Sequence, residues 1–160
     1  MNPYLTASLA VLEELYGNLT TCVRPLSGEC LNWSPPAPET NTIANLICHI
    51  AGSVNSWFAR ALNEPYERDR DAEFRARRSA AELVALLTTS QQLAREQIAR
   101  LDALDGGTVR HLRRLSSGTE MPLTVAWCVE HAVIHAGEHW GQIQLNRQWY
   151  ELAQAAAQAR

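Results

Sequence analysis

Three of the five histidines in the chain follow one another at intervals of four residues, as His131, His135 and His139. Four residues of an α-helix turn through about 400° and rise about 6 Å, so neighbours in this series share one helix face. Two imidazoles placed in this way can bind one metal ion, as i, i+4 histidine pairs do in zinc enzymes. The spacing therefore indicates a divalent-metal site on this helix.

A single ion cannot bind all three of these side chains. His131 and His139 would lie about 12 Å apart along the helix axis, whereas an imidazole nitrogen bonds a metal at about 2.1 Å. One adjacent pair must therefore supply two ligands, and a third must come from elsewhere in the chain. His49, which lies beside an apolar helical stripe, is the candidate. The residues alone do not choose between the pairs His131–His135 and His135–His139.

Three neutral imidazoles leave a coordination position open for water or substrate, which is typical of catalytic zinc sites. Such ligands suit zinc, nickel, copper and iron alike. The competing interpretation is a buried polar stripe whose histidines form hydrogen bonds across the fold. Strict spacing on an otherwise apolar helix favours the metal. No further side chain is identified as catalytic, because the nearby Glu130 and Glu138 fit solvent-facing positions better.

Four helical segments must position these histidines. Apolar residues at helical spacing and capping signals predict helices from Pro3 to Val23, from Asn41 or Thr42 to before Pro65, from Ser79 to about Asp105, and from Pro122 to Gln154 or beyond. The segments between them are predicted loops, with Trp33 anchoring the first and a short hairpin around Ser117 and Gly118 in the last. The pattern predicts an all-α fold, a four-helix bundle with long crossover connections, in a single domain over residues 1–160.

The composition excludes several classes of function. All basic residues are arginine, so Schiff-base and phosphate-loop lysine chemistry is absent. The net charge of −3 argues against a nucleic-acid partner. No apolar run is long enough to span a membrane, and neither a signal peptide nor a disulfide framework is evident, so we expect a cytoplasmic location. Arginines of the charged connections, Arg75, Arg77, Arg78, Arg110, Arg113 and Arg114, could receive substrate carboxylates, although such clusters are usually only solvated.

Two stretches of the sequence resemble the motifs of one family. HAGEHWGQIQLNRQ resembles the H-x-x-x-H-x-G-Q-I…R signature on the last helix of the DinB-like (YfiT-like) metal-binding proteins. NWSPPAPETNTIANLICHIAG resembles their earlier W-x-P…N-(S/P)-I-x-x-L-x-x-H-(L/I)-A motif. The two motifs occur in the family's order, and together they extend the resemblance over nearly the whole chain.

The resemblance implies a four-helix bundle whose divalent-metal ligands are His49, His135 and His139. His131 and Gln142 then line the pocket or orient a ligand. Family members with known activity are thiol-dependent transferases or isomerases that use low-molecular-weight thiols. We therefore expect a metal-dependent enzyme, a thiol-dependent transferase acting on a small molecule with zinc or nickel as its ion. The alternatives are a hydrolase using metal-bound hydroxide and a non-catalytic, stress-responsive metal-binding protein.

The last helix also suggests self-association. Its apolar residues point in more than one direction, with Val125, Val129 and Ala132 on one side and Ile134, Ala136 and Trp140 on another. A bundle core covers only one stripe of a helix, so a second apolar surface predicts a homodimer.

Overall fold

A computed structural model describes residues 2–159 and contains the four long helices that the sequence predicts. Two short helices and a β-hairpin lie in the connections between them. In chain order the elements are α1 (Pro3–Val23), α2 (Gly28–Leu31), α3 (Ile43–Leu62), α4 (Arg70–Arg75), α5 (Ala80–Leu101), β1 (Val109–Arg114), β2 (Glu120–Thr124) and α6 (Val125–Gln158). The helical bundle is therefore confirmed, with a two-stranded sheet as an addition.

The packing of the four long helices places α3 beside the last helix. α3 contacts both α5 and α6, and α1 closes the ring by packing on the same two helices. Among the four long helices, α1 and α3 follow each other in the chain but lie diagonally opposite in the bundle, and so do α5 and α6. The connections between the members of each pair must therefore be long. Large side chains fill the centre, among them Tyr16, Phe58, Ile47, Leu87 and Ile98. The site histidines consequently come from two helices that pack directly against each other.

Local capping explains where α3 and α5 begin. The Thr42 hydroxyl accepts a hydrogen bond from the Asn45 backbone amide, and the Asn45 side-chain oxygen accepts one from the Thr42 backbone amide. Ser79 and Glu82 form the same reciprocal box at the start of α5, as predicted. α3 ends at Leu62 and is capped by Asn63, whose φ of 61° is the left-handed conformation that terminates helices. These caps fix the register of α3 and therefore the direction in which its histidine points.

The start of α6 differs from the prediction. Pro122 does not open the helix but pairs with Leu112 in the hairpin. The helix begins at Val125, where the Thr124 hydroxyl accepts a hydrogen bond from the Trp127 amide. A two-stranded ribbon has only edge strands, so proline is tolerated there, and a threonine cap is the stronger signal for a helix start. The hairpin predicted around Ser117 and Gly118 is present, with Gly118 at a φ of 84°.

Three further predictions can be compared with the structure. Trp33 does pack on the bundle, with its ring edge against Tyr150. α5 ends at Leu101, earlier than the predicted Asp105. Across residues 2–159, no helix combines the length and apolar character that crossing a bilayer requires. The homodimer stays a prediction. On the second apolar side of α6, Ile134 is 56% exposed and Trp140 is partly buried, but Ala136 is 1% exposed and belongs to the core instead.

Candidate metal centre

The imidazoles of His49, His135 and His139 converge on one point between α3 and α6. The Nε2 atom of His135 lies 3.0 Å from Nε2 of His49 and 3.2 Å from Nε2 of His139. A tetrahedral zinc ion with ligands at about 2.05 Å would hold their nitrogens about 3.3 Å apart. Two of the three separations are therefore close to the one that a single ion requires, and one ligand atom from each ring lies within 4.8 Å of the others.

Two helices supply these side chains at different depths. His49 is 3% exposed and lies on the face of α3 that packs against α6. His135 and His139 lie one turn apart on α6 and are partly buried. An ion between them would be anchored on the inner side by His49 and reached by solutes from the outer side.

Each of the three rings has an oxygen atom near its other nitrogen. The Nδ1 of His49 lies 3.0 Å from Oε2 of Glu73, and the Nδ1 of His139 lies 2.9 Å from Oε1 of Gln142. The Nδ1 of His135 is 3.7 Å from Oε2 of the exposed Glu138. Oxygen acceptors at Nδ1 stabilise the tautomer whose Nε2 carries a lone pair, which is the usual arrangement behind metal-binding histidines.

One tautomer of this cluster cannot be satisfied by hydrogen bonds among the rings. With Nδ1–H donated to Glu73 and Gln142, the Nε2 atoms of His49 and His139 are both acceptors. The single Nε2–H that His135 can offer serves only one of them, so the other Nε2 lone pair has no donor among these rings. In this tautomer a cation at the centre would satisfy all three nitrogens, so the donor set fits a metal ion.

Glu73 was not identified from the sequence, yet among these oxygen partners it is the one fixed by hydrogen bonds from an arginine. Arg68 donates to both of its carboxylate oxygens, at 2.6 Å from Nε and 2.8 Å from Nη2. The same Nη2 lies 3.1 Å from Nδ1 of His49. The carboxylate can only accept and the guanidinium can only donate, so Glu73 favours a proton on Nδ1 whereas Arg68 favours a lone pair there. A Cβ at Gly52 would collide with Oε1 of Glu73, so glycine at this position leaves room for the carboxylate.

Burial keeps the inner imidazoles neutral. Removal from water lowers the pKa of His49 to about 4, and the charge of Arg68 acts in the same direction, although the hydrogen bond to the Glu73 carboxylate opposes both. Burial also lowers the pKa of His135, with help from the neighbouring His139 and His131. A metal ion binds the neutral form of imidazole, so near pH 7 these two side chains need lose no proton on binding.

His131 faces different neighbours from the other members of its row. Its ring stacks on Trp127 at 4.6 Å between centroids, and the edge of Trp57 packs against it at 4.6 Å. The ring of His135 is parallel to it at 5.5 Å. Among residues 2–159, the group of side chains able to share one ion contains His49, His135 and His139 but not His131.

A cavity of about 490 Å³ opens beside the histidines. Its lining includes His49, His131 and His135 together with Arg60, Arg68, Arg70, His111 and Arg113. No aspartate or glutamate of the described chain contributes to the lining. Of the arginines that the sequence suggested as carboxylate receivers, only Arg113 lines this cavity. The sequence contains no local pattern that would have identified the other charged or titratable residues of the lining, Arg60, Arg68, Arg70 and His111.

The comparisons with known proteins concern the family and the fold of the chain. The sequence profile of the DinB superfamily matches residues 12–143, which include both His49 and the histidine row of α6. The chain belongs to the DinB superfamily. The resemblance seen in the sequence motifs is thereby confirmed.

A solved structure shares the fold of this DinB superfamily member. It is described as the crystal structure of the conserved protein of locus from Enterococcus faecalis, and it superposes with a TM-score of 0.70 at 17% sequence identity. The match covers 93% of this chain and 97% of that one. At this identity the likeness establishes the fold. No curated protein matches the chain at a significant level.

Proposed function

We propose that this DinB superfamily member is a metal-dependent enzyme, a thiol-dependent transferase that acts on a small molecule. The observation that carries the proposal is the convergence of three imidazoles, from His49, His135 and His139, each of which offers a nitrogen to one point. His49, His135 and His139 would hold the ion. A divalent ion held by three histidines supplies Lewis acidity, which lowers the pKa of a thiol or water beside it.

The chemistry of the cavity supports a thiol over water as the nucleophile. A thiol with a pKa of about 8.5 needs a shift of only one or two units to ionise at neutral pH, whereas bulk water, at 15.7, needs a far larger one. Several positive charges lie near the site, and no carboxylate in the described part of the cavity lining is placed to act as a general base. Positive potential alone suits thiolate formation, in which the thiol releases its proton to solvent. The sulfur then bonds to an electrophilic carbon while the leaving group departs with its electron pair.

The metal content of the protein is the first measurement. We expect protein purified without added metal to carry about one divalent ion per chain, zinc or nickel by preference. The second measurement uses cobalt- or nickel-substituted protein titrated with 2-mercaptoethanol at millimolar concentration. Direct binding of sulfur should produce a new sulfur-to-metal charge-transfer band. Ethylene glycol, which replaces the thiol by a hydroxyl, is the matched control and should leave the spectrum unchanged.

Other results would favour the other functions. A spectrum that does not respond to the thiol, in protein that holds its metal, would contradict the transferase. Hydrolysis of ester or amide substrates by that same protein would then indicate the hydrolase, and the absence of turnover would indicate a metal-binding protein. Protein without metal would contradict the metal-dependent enzyme itself.

A further inference from the structure

The cavity beside the histidines carries an excess of positive charge. Arg68 is paired with Glu73 at 2.6 Å, so its charge is locally balanced. Within residues 2–159, by contrast, no carboxylate lies at ion-pair distance from Arg60, Arg70 or Arg113. Three guanidinium groups without an acidic partner thus border the cavity in which the proposed ion would lie.

These arginines come from three separate elements. Arg60 lies in the last turn of α3, Arg70 opens α4, and Arg113 lies on β1. Two of them also contact an aromatic ring, Arg60 at 5.0 Å from the Trp57 centroid and Arg70 at 5.7 Å from that of Phe74. Contacts with aromatic rings limit the freedom of long side chains, so less entropy is lost when an anion binds.

The β-hairpin places Arg113 beside the cavity but not the next residue, Arg114. His111 and Arg113, two residues apart on β1, both line the cavity, whereas Leu112 and Arg114 do not. This is the alternation expected of a strand. The charge of Arg113 also reaches the histidine row, since it adds to the effect of burial in lowering the pKa of His131.

We propose that this cavity binds a small organic dianion, a dicarboxylate or a phosphate monoester, through Arg60, Arg70 and Arg113. The inference rests on the proposed function, because it makes this dianion the second substrate of the transferase. Guanidinium groups bind carboxylate and phosphate oxygens by paired, charge-assisted hydrogen bonds. A divalent ion would add positive charge to a lining that has no acidic residue, and two negative charges on the substrate balance this excess better than a neutral molecule can.

The test compares matched ligands on the protein as purified. Isothermal titration calorimetry is carried out with succinate, with inorganic phosphate and with succinamide, the neutral analogue of succinate. We expect succinate or phosphate to bind and succinamide to bind at least tenfold more weakly. The preference between the two anions distinguishes the carboxylate from the phosphate source. Affinity should fall as salt is added, since exposed charges are screened.

Variants then identify the groups responsible. Arg60→Gln and Arg113→Gln should each weaken binding of the preferred anion about tenfold or more, because a charge-assisted hydrogen bond is lost. Arg114→Gln, one residue along the same strand, is the control and should bind as the unmodified protein does. Circular dichroism and metal analysis of each variant show whether the fold and the ion are retained.

Two outcomes would overturn the inference. The first is equal binding of succinamide and both anions, or no binding of any, by protein whose metal content is normal. The second is anion binding that Arg60→Gln and Arg113→Gln leave intact, which would mean that the anion binds the metal or another surface. If the metal is absent while arginine-dependent anion binding persists, the proposed enzyme fails but the anion site does not.

Discussion

His139 and His131 lie on the same face of α6, about two turns apart, yet their rings meet different surroundings. The Nε2 of His139 points toward His135 and His49, and its Nδ1 contacts an amide oxygen. His131 instead lies among Trp57, Trp127 and the ring of His135, in a stack of aromatic faces. Residue type and spacing are the same at both ends of the row. The difference comes from the element opposite, since His49 on α3 lies beside one end of the row only.

The strongest test of this comparison removes a nitrogen from the convergent end. His139→Ala should reduce the metal content of purified protein from about one ion per chain to a small fraction, because two histidines without a third ligand bind weakly. His49→Ala and His135→Ala should behave in the same way. Elemental analysis of the folded variants is the measurement, and full metal content in these variants would disprove the three-histidine site.

We expect a smaller loss of metal affinity when a partner of a histidine Nδ1 atom is substituted. Glu73→Gln replaces a partly buried carboxylate that contacts His49 and leaves Arg68 without its counter-charge. Loss of such a partner typically weakens metal binding by about 10–100-fold. Glu138→Gln is the matched control, because Glu138 is 67% exposed and lies 3.7 Å from Nδ1 of His135. Competition with a chelator measures both affinities, and equal values for the two variants would show that Glu73 does not support the ligand.

Glu73 is a site residue that could not be predicted from the sequence. Its stretch is dense in charges of both signs, which is typical of a solvated connection, and its contact with His49 joins residues far apart in the chain. Two local signals pointed to more structure: Asp69 caps α4 through the Ala72 amide, and Gly52 follows His49 by one turn, where a close neighbour requires a small residue. Neither signal identifies the carboxylate that enters.

The bundle and the histidines were predictable for a different reason. Helical periodicity and capping boxes are local properties, and the four-residue spacing fixes one face of α6 whatever packs against it. The choice of His135 and His139 over His131 and His135 came from the family resemblance. It depends on the register of α3 against α6, which spacing within one helix does not contain. The arginines of the cavity depend in the same way on how α4 and the hairpin fold over the site.

Acid should destabilise the metal-free protein through the buried end of the site. His49 has a pKa of about 4 in the folded chain against an ordinary value of 6.5, so between these values the unfolded chain binds the extra proton. Its contribution to stability is therefore complete above about pH 6.5 and decreases as the pH falls toward 4. Urea unfolding of chelator-treated protein measures the slope. His49→Gln should reduce that slope, and an unchanged slope would show that His49 is not buried in its neutral form.

The least effect on the ion is expected from His131, and this result separates the two ends of the row most clearly. His131→Ala removes a ring that stacks on Trp127 and lines the cavity, but it removes none of the three convergent nitrogens. The variant should keep most of its metal, with a loss of affinity no greater than the 10–100-fold typical of a group that only orients a ligand. Because the ring also supports Trp57 and Trp127, a change in tryptophan fluorescence is expected even when the ion stays.

The opposite ranking, with metal lost from His131→Ala and retained by His139→Ala, would place the ion one turn earlier, between His131 and His135. A metal site would then still exist, but with a ligand set different from the one that the family resemblance implies.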